Sequence, residues 1–334
     1  ATSKEFTMYY INMQKDFVEK SLKMLADTMQ NPLFPKDEID KERKVVIEEI
    51  QRHFDNPGSV LYEKFYETIY KTSTLKNRVI GTSDVISNIS SEKIYEYYKM
   101  HYVPEKMLVV VSGGFDKKKV AEVIDNTFAK FEKQKVPIDP LLKEKSRTGK
   151  NITKYGKVEV GYMLSGFLAS DVDDEDLYVA DLATDILGGG KNSRLYKFLY
   201  EKEHLVYATD ASFYVEKGGG NIHISSVFDP KNIKEIKKEI EKQIEDIIAS
   251  GISKEELNRS KLLLKTDWQF SNETPYDVAN KFGYWKLMGN AEFVCNYLKK
   301  LQGLTSKDVV EFFKKYYSKD AISHTALLPN KSCC

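Results

Sequence analysis

The chain reads as an α+β protein, an α/β sandwich in two related halves, and three observations lead there. A strand, a set of helices and a further strand follow one another in the same order twice. Segments of the halves also match. Ser91-Glu92-Lys93-Ile94-Tyr95-Glu96-Tyr97-Tyr98-Lys99 lies without gaps on Ser306-Lys307-Asp308-Val309-Val310-Glu311-Phe312-Phe313-Lys314, and Tyr102 falls on Tyr317. Lys36-Asp37-Glu38-Ile39 lies over Lys254-Glu255-Glu256-Leu257, with Val45-Val46-Ile47 one position off Leu262-Leu263-Leu264. Two matches in one order mark an internal repeat. Between the halves, 133–150 is rich in lysine and proline and has little periodicity, as linkers do. The expected division is a first domain at 1–135, a linker at 136–150 and a second domain at 151–330.

In chain order, 1–11 alternates Phe6, Met8 and Tyr10 against Thr7 and Tyr9, a strand already under way. That opening, with no initiator methionine or leader, reads as the remainder of a longer polypeptide or a processed terminus. Phe17, Leu22, Leu25 and Met29 recur at helical intervals, and Pro35 opens a second helix that Asp55-Asn56-Pro57-Gly58 ends. A third helix spans about 59–71, 72–89 is irregular, and Ser91 caps a helix through Tyr102. The apolar run 107–111 predicts a strand buried on both faces, and 117–131 an amphipathic helix. The second half predicts a strand at 158–166, helices at 177–187 and 194–203, and a hairpin of 205–214 and 220–227 turning at Lys217-Gly218-Gly219. Helices at 231–249, 254–268, 276–287 and 306–317 and a strand at 322–328 complete it.

Composition narrows the function. The 334 residues carry 51 Lys and Arg against 50 Asp and Glu, a net charge of +1, so no global field draws nucleic acid or an anionic membrane. No apolar run reaches the roughly 18 residues that span a bilayer. Cys295, Cys333 and Cys334 form neither a disulfide framework nor a CxxC metal site and suit a reducing compartment. Gly188-Gly189-Gly190 lacks the GKS or GKT ending of a phosphate loop and reads as a turn between packed helices. Helical spacing makes Tyr95, Tyr97, Tyr98 and Tyr102 packing residues rather than a platform for bases.

The second helix holds the candidate chemistry. In ERKVVIEEIQR, 42–52, Glu42 and Glu49 are seven residues apart, within roughly 20° of two full turns, so they share a face. Ile39, Arg43, Val46 and Ile50 form the apolar stripe, with Glu38, Glu42 and Glu49 as the neighbouring row. The row is a candidate metal or acid site; the plainer reading is a solvated edge with Glu49 paired to Arg52 or His53.

Five stretches in order, TSKEFTMYY, LADTMQNPLFPKDEIDKERKVVIEE, NRVIGTSDVISNISSEKIYEYYKMHYVPEKMLVVVSGGFD, LGGGKNSRLYKFLYEKEHLVYA and LTSKDVVEFFKKYY, resemble the M16 family of zinc peptidases. This is the pitrilysin and mitochondrial-processing-peptidase type, and the likeness is greatest to its bacterial M16B branch. The resemblance implies two homologous domains of the LuxS/MPP-like metallohydrolase type, each a mostly antiparallel sheet packed by helices, closing as a clamshell. It implies a zinc endopeptidase that takes unstructured peptides as an added edge strand, with Ala1, Thr2 and Ser3 where the family has its NAxTS strand. Glu49 falls at the zinc-ligand position and Glu42 at an acid that orients a ligand or base. Tyr207 matches the tyrosine that steadies the tetrahedral oxyanion.

The family's HxxEH, with two histidine ligands and the general base, is absent: His53, His101, His204, His223 and His324 are single. Family spacing puts that motif ahead of Ala1, so Zn2+ needs upstream histidines this chain does not contain. Tyr200 stands where active members carry an arginine, with Arg194 a possible substitute. Two functions follow: a metalloendopeptidase whose fragment here is inactive, or a non-catalytic subunit that binds peptides or pairs with a catalytic M16 subunit as a homo- or heterodimer. Neither involves nucleic acid or membrane.

Overall fold

A computed structural model describes residues 1–131, 142–144 and 148–330. Of the expected linker, 136–141 and 145–147 lie outside the described residues, as do Cys333 and Cys334. The helices are α1 (Val18–Gln30), α2 (Lys36–Asp55), α3 (Pro57–Ile69), α4 (Ser83–Asn88), α5 (Ser91–His101), α6 (Lys117–Thr127), α7 (Leu177–Gly188), α8 (Ile233–Ser250), α9 (Lys254–Phe270), α10 (Pro275–Leu287), α11 (Glu292–Gly303) and α12 (Ser306–Tyr316). The strands are β1 (Asn151–Gly156), β2 (Gly161–Ala169), β3 (Val206–Tyr214), β4 (Gly220–Phe228) and β5 (Ser323–Pro329).

The two helices that the sequence match aligns, α5 and α12, are both capped by a hydroxyl. Ser90, rather than the expected Ser91, accepts from the Lys93 N–H to start α5, and Thr305 starts α12 with a reciprocal capping box to Asp308. Both helices run for 11 residues. Asn56 accepts from the Gly58 and Ser59 N–H groups, and Pro57 fills the first helical position, so DNPG both ends α2 and begins α3.

The chain divides into two compact units, each drawing on both sequence halves. One comprises Ala1–Arg52, Val79–Pro140 and Ser271–Leu287; the other comprises His53–Arg78, Leu141–Phe270 and Met288–Cys334. In the first, α1 and α6 pack through Val18, Leu22, Val120 and Val123, joined by Val109 and Val111. Tyr98 on α5 donates to the Met29 carbonyl at 2.6 Å and packs as its spacing predicts, whereas Tyr95 and Tyr97 are exposed.

The sheet expected in the first half is not formed among the described residues. Residues 107–111 join no ladder, and 1–11 contributes only the bridge between Thr2 and Thr7. An apolar run encodes a strand only where a partner strand takes up its backbone groups, and among the described residues neither segment has a second strand beside it.

The second unit holds a five-stranded sheet in the order β1-β5-β2-β4-β3, antiparallel except for β1 beside β5. The hairpin of β3 and β4 is as predicted, with Gly218 at φ +81° in its turn. Leu61, Phe65 and Ile69 of α3 cover one face against Leu164, Leu168 and Leu327. Phe167 points the other way, as a period of two requires, and meets Tyr317 just beyond α12 at 5.7 Å. Gly188 ends α7 where a Cβ would lie 2.4 Å from that of Ala211 on β3, and Gly190 at φ +76° turns the chain beyond it, as the turn reading expects.

Candidate functional site

The periodicity of α2 sets its faces. Ile39, Arg43 and Val46 are half-buried and Ile50 is buried, whereas Glu38, Glu42 and Glu49 are exposed, as the wheel predicts. Arg43 anchors the inner stripe by donating to the Ile86 and Ile89 carbonyls at the end of α4. Neither Glu42 nor Glu49 has a hydrogen-bond or ion-pair partner among the described residues. The plainer reading paired Glu49 with Arg52 or His53, but His53 instead places Nε2 2.9 Å from Glu63 Oε1. Of the row only Glu38 is paired, to Lys41 at 2.7 Å, and the carboxylates of Glu42 and Glu49 are free to meet a ligand.

These residues do not by themselves fit a zinc ion. Zinc needs three protein ligands, and Glu49 has no histidine a turn away that is free of another partner. Among the described residues no group of three or more His, Cys, Asp or Glu side chains is disposed to hold a metal.

Ala1, Thr2 and Ser3 lie in the same unit as Glu49, folded on the next few residues. The Met8 N–H donates to the Ala1 carbonyl at 2.8 Å and the Ser3 N–H to the Phe6 carbonyl at 2.9 Å. Thr2, Phe6 and Tyr10 line a cavity of about 510 Å³ in this unit with Leu22, Val109 and Tyr284.

Tyr207 belongs to the other unit, on β3, and is 60% exposed, so its phenol is open to a ligand. Ahead of it, Tyr196–Lys202 forms a π-helix in which Tyr200 stacks on Tyr196 at 4.7 Å. His204 then turns the chain at φ +50° and places Nδ1 3.0 Å from the Tyr200 carbonyl. Both features are uncommon for ordinary residues, and together they set where β3 begins.

Arg194 is committed elsewhere. It donates from Nε to Glu256 Oε1 at 2.7 Å and from Nη2 to Glu256 Oε2 at 3.2 Å and the Gly251 carbonyl at 3.0 Å. Burial would raise the Glu256 carboxyl, but bonds from Arg194 and Ser253 outweigh it and hold it at about 2. A guanidinium tied to the start of α9 is a fastening. Arg194→Ala should cost about 2 kcal/mol in urea unfolding at pH 7 by stranding Glu256, and Arg194→Lys should recover less than half because one ammonium cannot bridge both oxygens.

Sequence reasoning missed two buried polar networks in the second unit. Ser165 Oγ lies 2.8 Å from His324 Nδ1, and His324 Nε2 lies 3.3 Å from Glu241 Oε1. The order is that of a hydrolytic triad with the ring reversed, since the serine meets Nδ1. Ser165 is fully buried and no cavity reaches it among those described, so the array ties β2, β5 and α8 together. On the opposite face, Asn221 Nδ2 donates to the hydroxyls of Tyr66 and Tyr70 and its Oδ1 accepts from His223 Nδ1. Burial lowers both histidines to about 4, aided at His324 by the charge of Lys237. A single histidine inside an apolar strand run was the available signal for each.

Comparison with known proteins follows the same lines. The family model described as insulinase, peptidase family M16, matches residues 1–83, and that described as the peptidase M16 inactive domain matches residues 88–264. An uncharacterized zinc protease of Rickettsia felis is 30% identical over 278 residues, 81% of this chain and 65% of that protein. The chain thus spans slightly less than two thirds of that relative's length. Zinc protease PqqE of Helicobacter pylori is 27% identical over 341 residues, 98% of this chain and 75% of that protein. Among solved structures, a protease from Helicobacter pylori superposes with a TM-score of 0.89 at 24% identity, covering 95% of this chain and 78% of that one. A peptidase M16 inactive domain from Pseudomonas fluorescens gives 0.83 at 17% identity, covering 94% and 76%. These likenesses establish the fold.

Proposed function

Since this chain belongs to the M16 family of peptidases, we propose that it is part of a zinc-dependent endopeptidase of the M16B type acting on unstructured peptides. The observation that carries the reading is α2, an M16-matching helix on which Glu49 is exposed, unpaired and in one row with Glu42. In this reading Glu49 is a metal ligand and Glu42 orients a ligand or the base. Tyr207 offers its hydroxyl to the oxyanion, and Ala1, Thr2 and Ser3 take the peptide as an added strand. Residues 1–135 and 151–330 are the homologous domains, and the HxxEH side chains come from polypeptide outside these 334 residues. The test is zinc content and cleavage of an unstructured peptide by the complete translated protein and its Glu49→Gln variant. Cleavage should fall about a hundredfold, together with zinc affinity; undiminished activity in the variant defeats the reading.

A second reading, a non-catalytic subunit that binds peptide or partners a catalytic M16 chain, is favoured by the inactive-domain match over 88–264 and by Tyr200 at the arginine position. A complete protein without HxxEH that co-purifies with an HxxEH-bearing subunit would decide for it.

A further inference from the structure

We propose that the open edge of β1 is a docking site for an extended acidic peptide, which adds to the sheet of the second unit as a further strand. The inference is independent of zinc or cleavage and rests on backbone direction, an adjoining cleft and charge.

Strand β1 ends the strand order and has β5 on one side only. In its parallel register the His324 N–H donates to the Lys150 carbonyl at 2.8 Å and the Asn330 N–H to the Gly156 carbonyl at 2.9 Å. Alternate residues therefore address β5, and the N–H and C=O groups of Asn151, Thr153 and Tyr155 point to the open side. None of the three has a backbone partner there among the described residues. At its far end the edge runs into a cleft of about 560 Å³ whose apolar surface includes Pro57, Val60, Val158 and Leu327. A chain pairing with Thr153 and Tyr155 can set an apolar side chain there, which is how strand addition acquires specificity.

Charge selects the occupant. The inner acids of the cleft are ion-paired: Glu63 with His53 at 2.9 Å and Arg78 at 2.8 Å, and Glu67 with Lys64 at 2.7 Å. Arg78 is also held over the Phe54 ring at 4.6 Å. The groups left without ion pairs are Lys154, Lys157 and Asp55 in the cleft, with Lys150 and Glu159 at the two ends of the edge. The surplus is cationic. A second copy of this chain would bring the same cationic edge, so like charge disfavours it as the occupant. An acidic strand meets the same residues favourably.

The experiment is a fluorescence-anisotropy titration of the full 334-residue chain against a labelled ten-residue peptide of alternating valine and glutamate, with an alternating valine and lysine peptide as control. The acidic peptide should bind saturably, at least tenfold tighter than the basic one, and weaken with salt. Lys154→Glu with Lys157→Glu, both exposed positions, should invert the preference. Thr153→Pro, which removes an outward N–H, should weaken binding about tenfold, and amide exchange should slow at Thr153 and Tyr155 of the unaltered chain when peptide is bound. Equal binding of the two peptides, or binding with no change in exchange at those amides, overturns the proposal; the exchange result decides even where the proline variant fails to fold.

Discussion

Replacing both His223 and His324 by glutamine removes about 5 kcal/mol of acid-induced destabilisation between pH 7 and pH 4.5. Each ring is held neutral, at about 4, because burial disfavours its charged form. A group whose folded value lies below its unfolded 6.5 contributes stability that is intact above pH 6.5 and is lost as pH falls toward 4. At pH 4.5 each histidine accounts for about 2.5 kcal/mol of that loss. Carboxyls act in the opposite sense: burial raises Asp185 to about 6, and raises Asp181, Asp210 and Glu241, so these favour the fold as pH falls through their folded values. The original chain should therefore lose stability over this interval while the double variant holds or gains it. Urea midpoints at the two pH values measure both; parallel loss in the two proteins would show that the imidazoles are not the groups titrating.

Gly166→Val should cost about 3 kcal/mol or more and lower the melting temperature by roughly 6–12 °C. Gly166 is central in β2, where an added Cβ would lie 2.4 Å from the Ile222 carbonyl oxygen and 2.7 Å from the Phe65 ring of α3. Phe65 is fully buried and cannot swing clear, so strand or helix must shift. Gly166→Val combined with Phe65→Leu should recover part of the loss, since a smaller side chain yields space without mending the contact with Ile222. Calorimetric scans of the single and double variants test it; additive losses would contradict the packing argument.

The helices were legible because each carries its own evidence. The wheel drawn on 42–52 put Ile50 inside and Glu49 outside, as found, since a period of 3.6 is a local property. The predicted helices omit 292–303, although Phe293, Tyr297 and Leu301 recur there every fourth residue. Strands were legible only where the chain also supplied partners. The 205–214 and 220–227 runs formed their hairpin, but 107–111 looked equally strand-like and pairs with nothing among the described residues. Strand β1 was hidden in the other direction, because Thr153, Lys154 and Tyr155 are exposed and their ladder is set by β5, far along the sequence. For the candidate site, spacing revealed Glu49 and Glu42, whereas the fastening of Arg194 by Glu256 joins residues 62 apart and left no local trace.

Helix α3 lies in the first sequence half, yet its leucine and aromatic face is the cover of a sheet built from the second. The consequence concerns modularity more than packing. A sequence boundary drawn between the halves would part this helix from the sheet it covers, so the halves are not interchangeable modules. The second half cannot be lent to another protein without leaving Leu164, Leu168 and Leu327 bare.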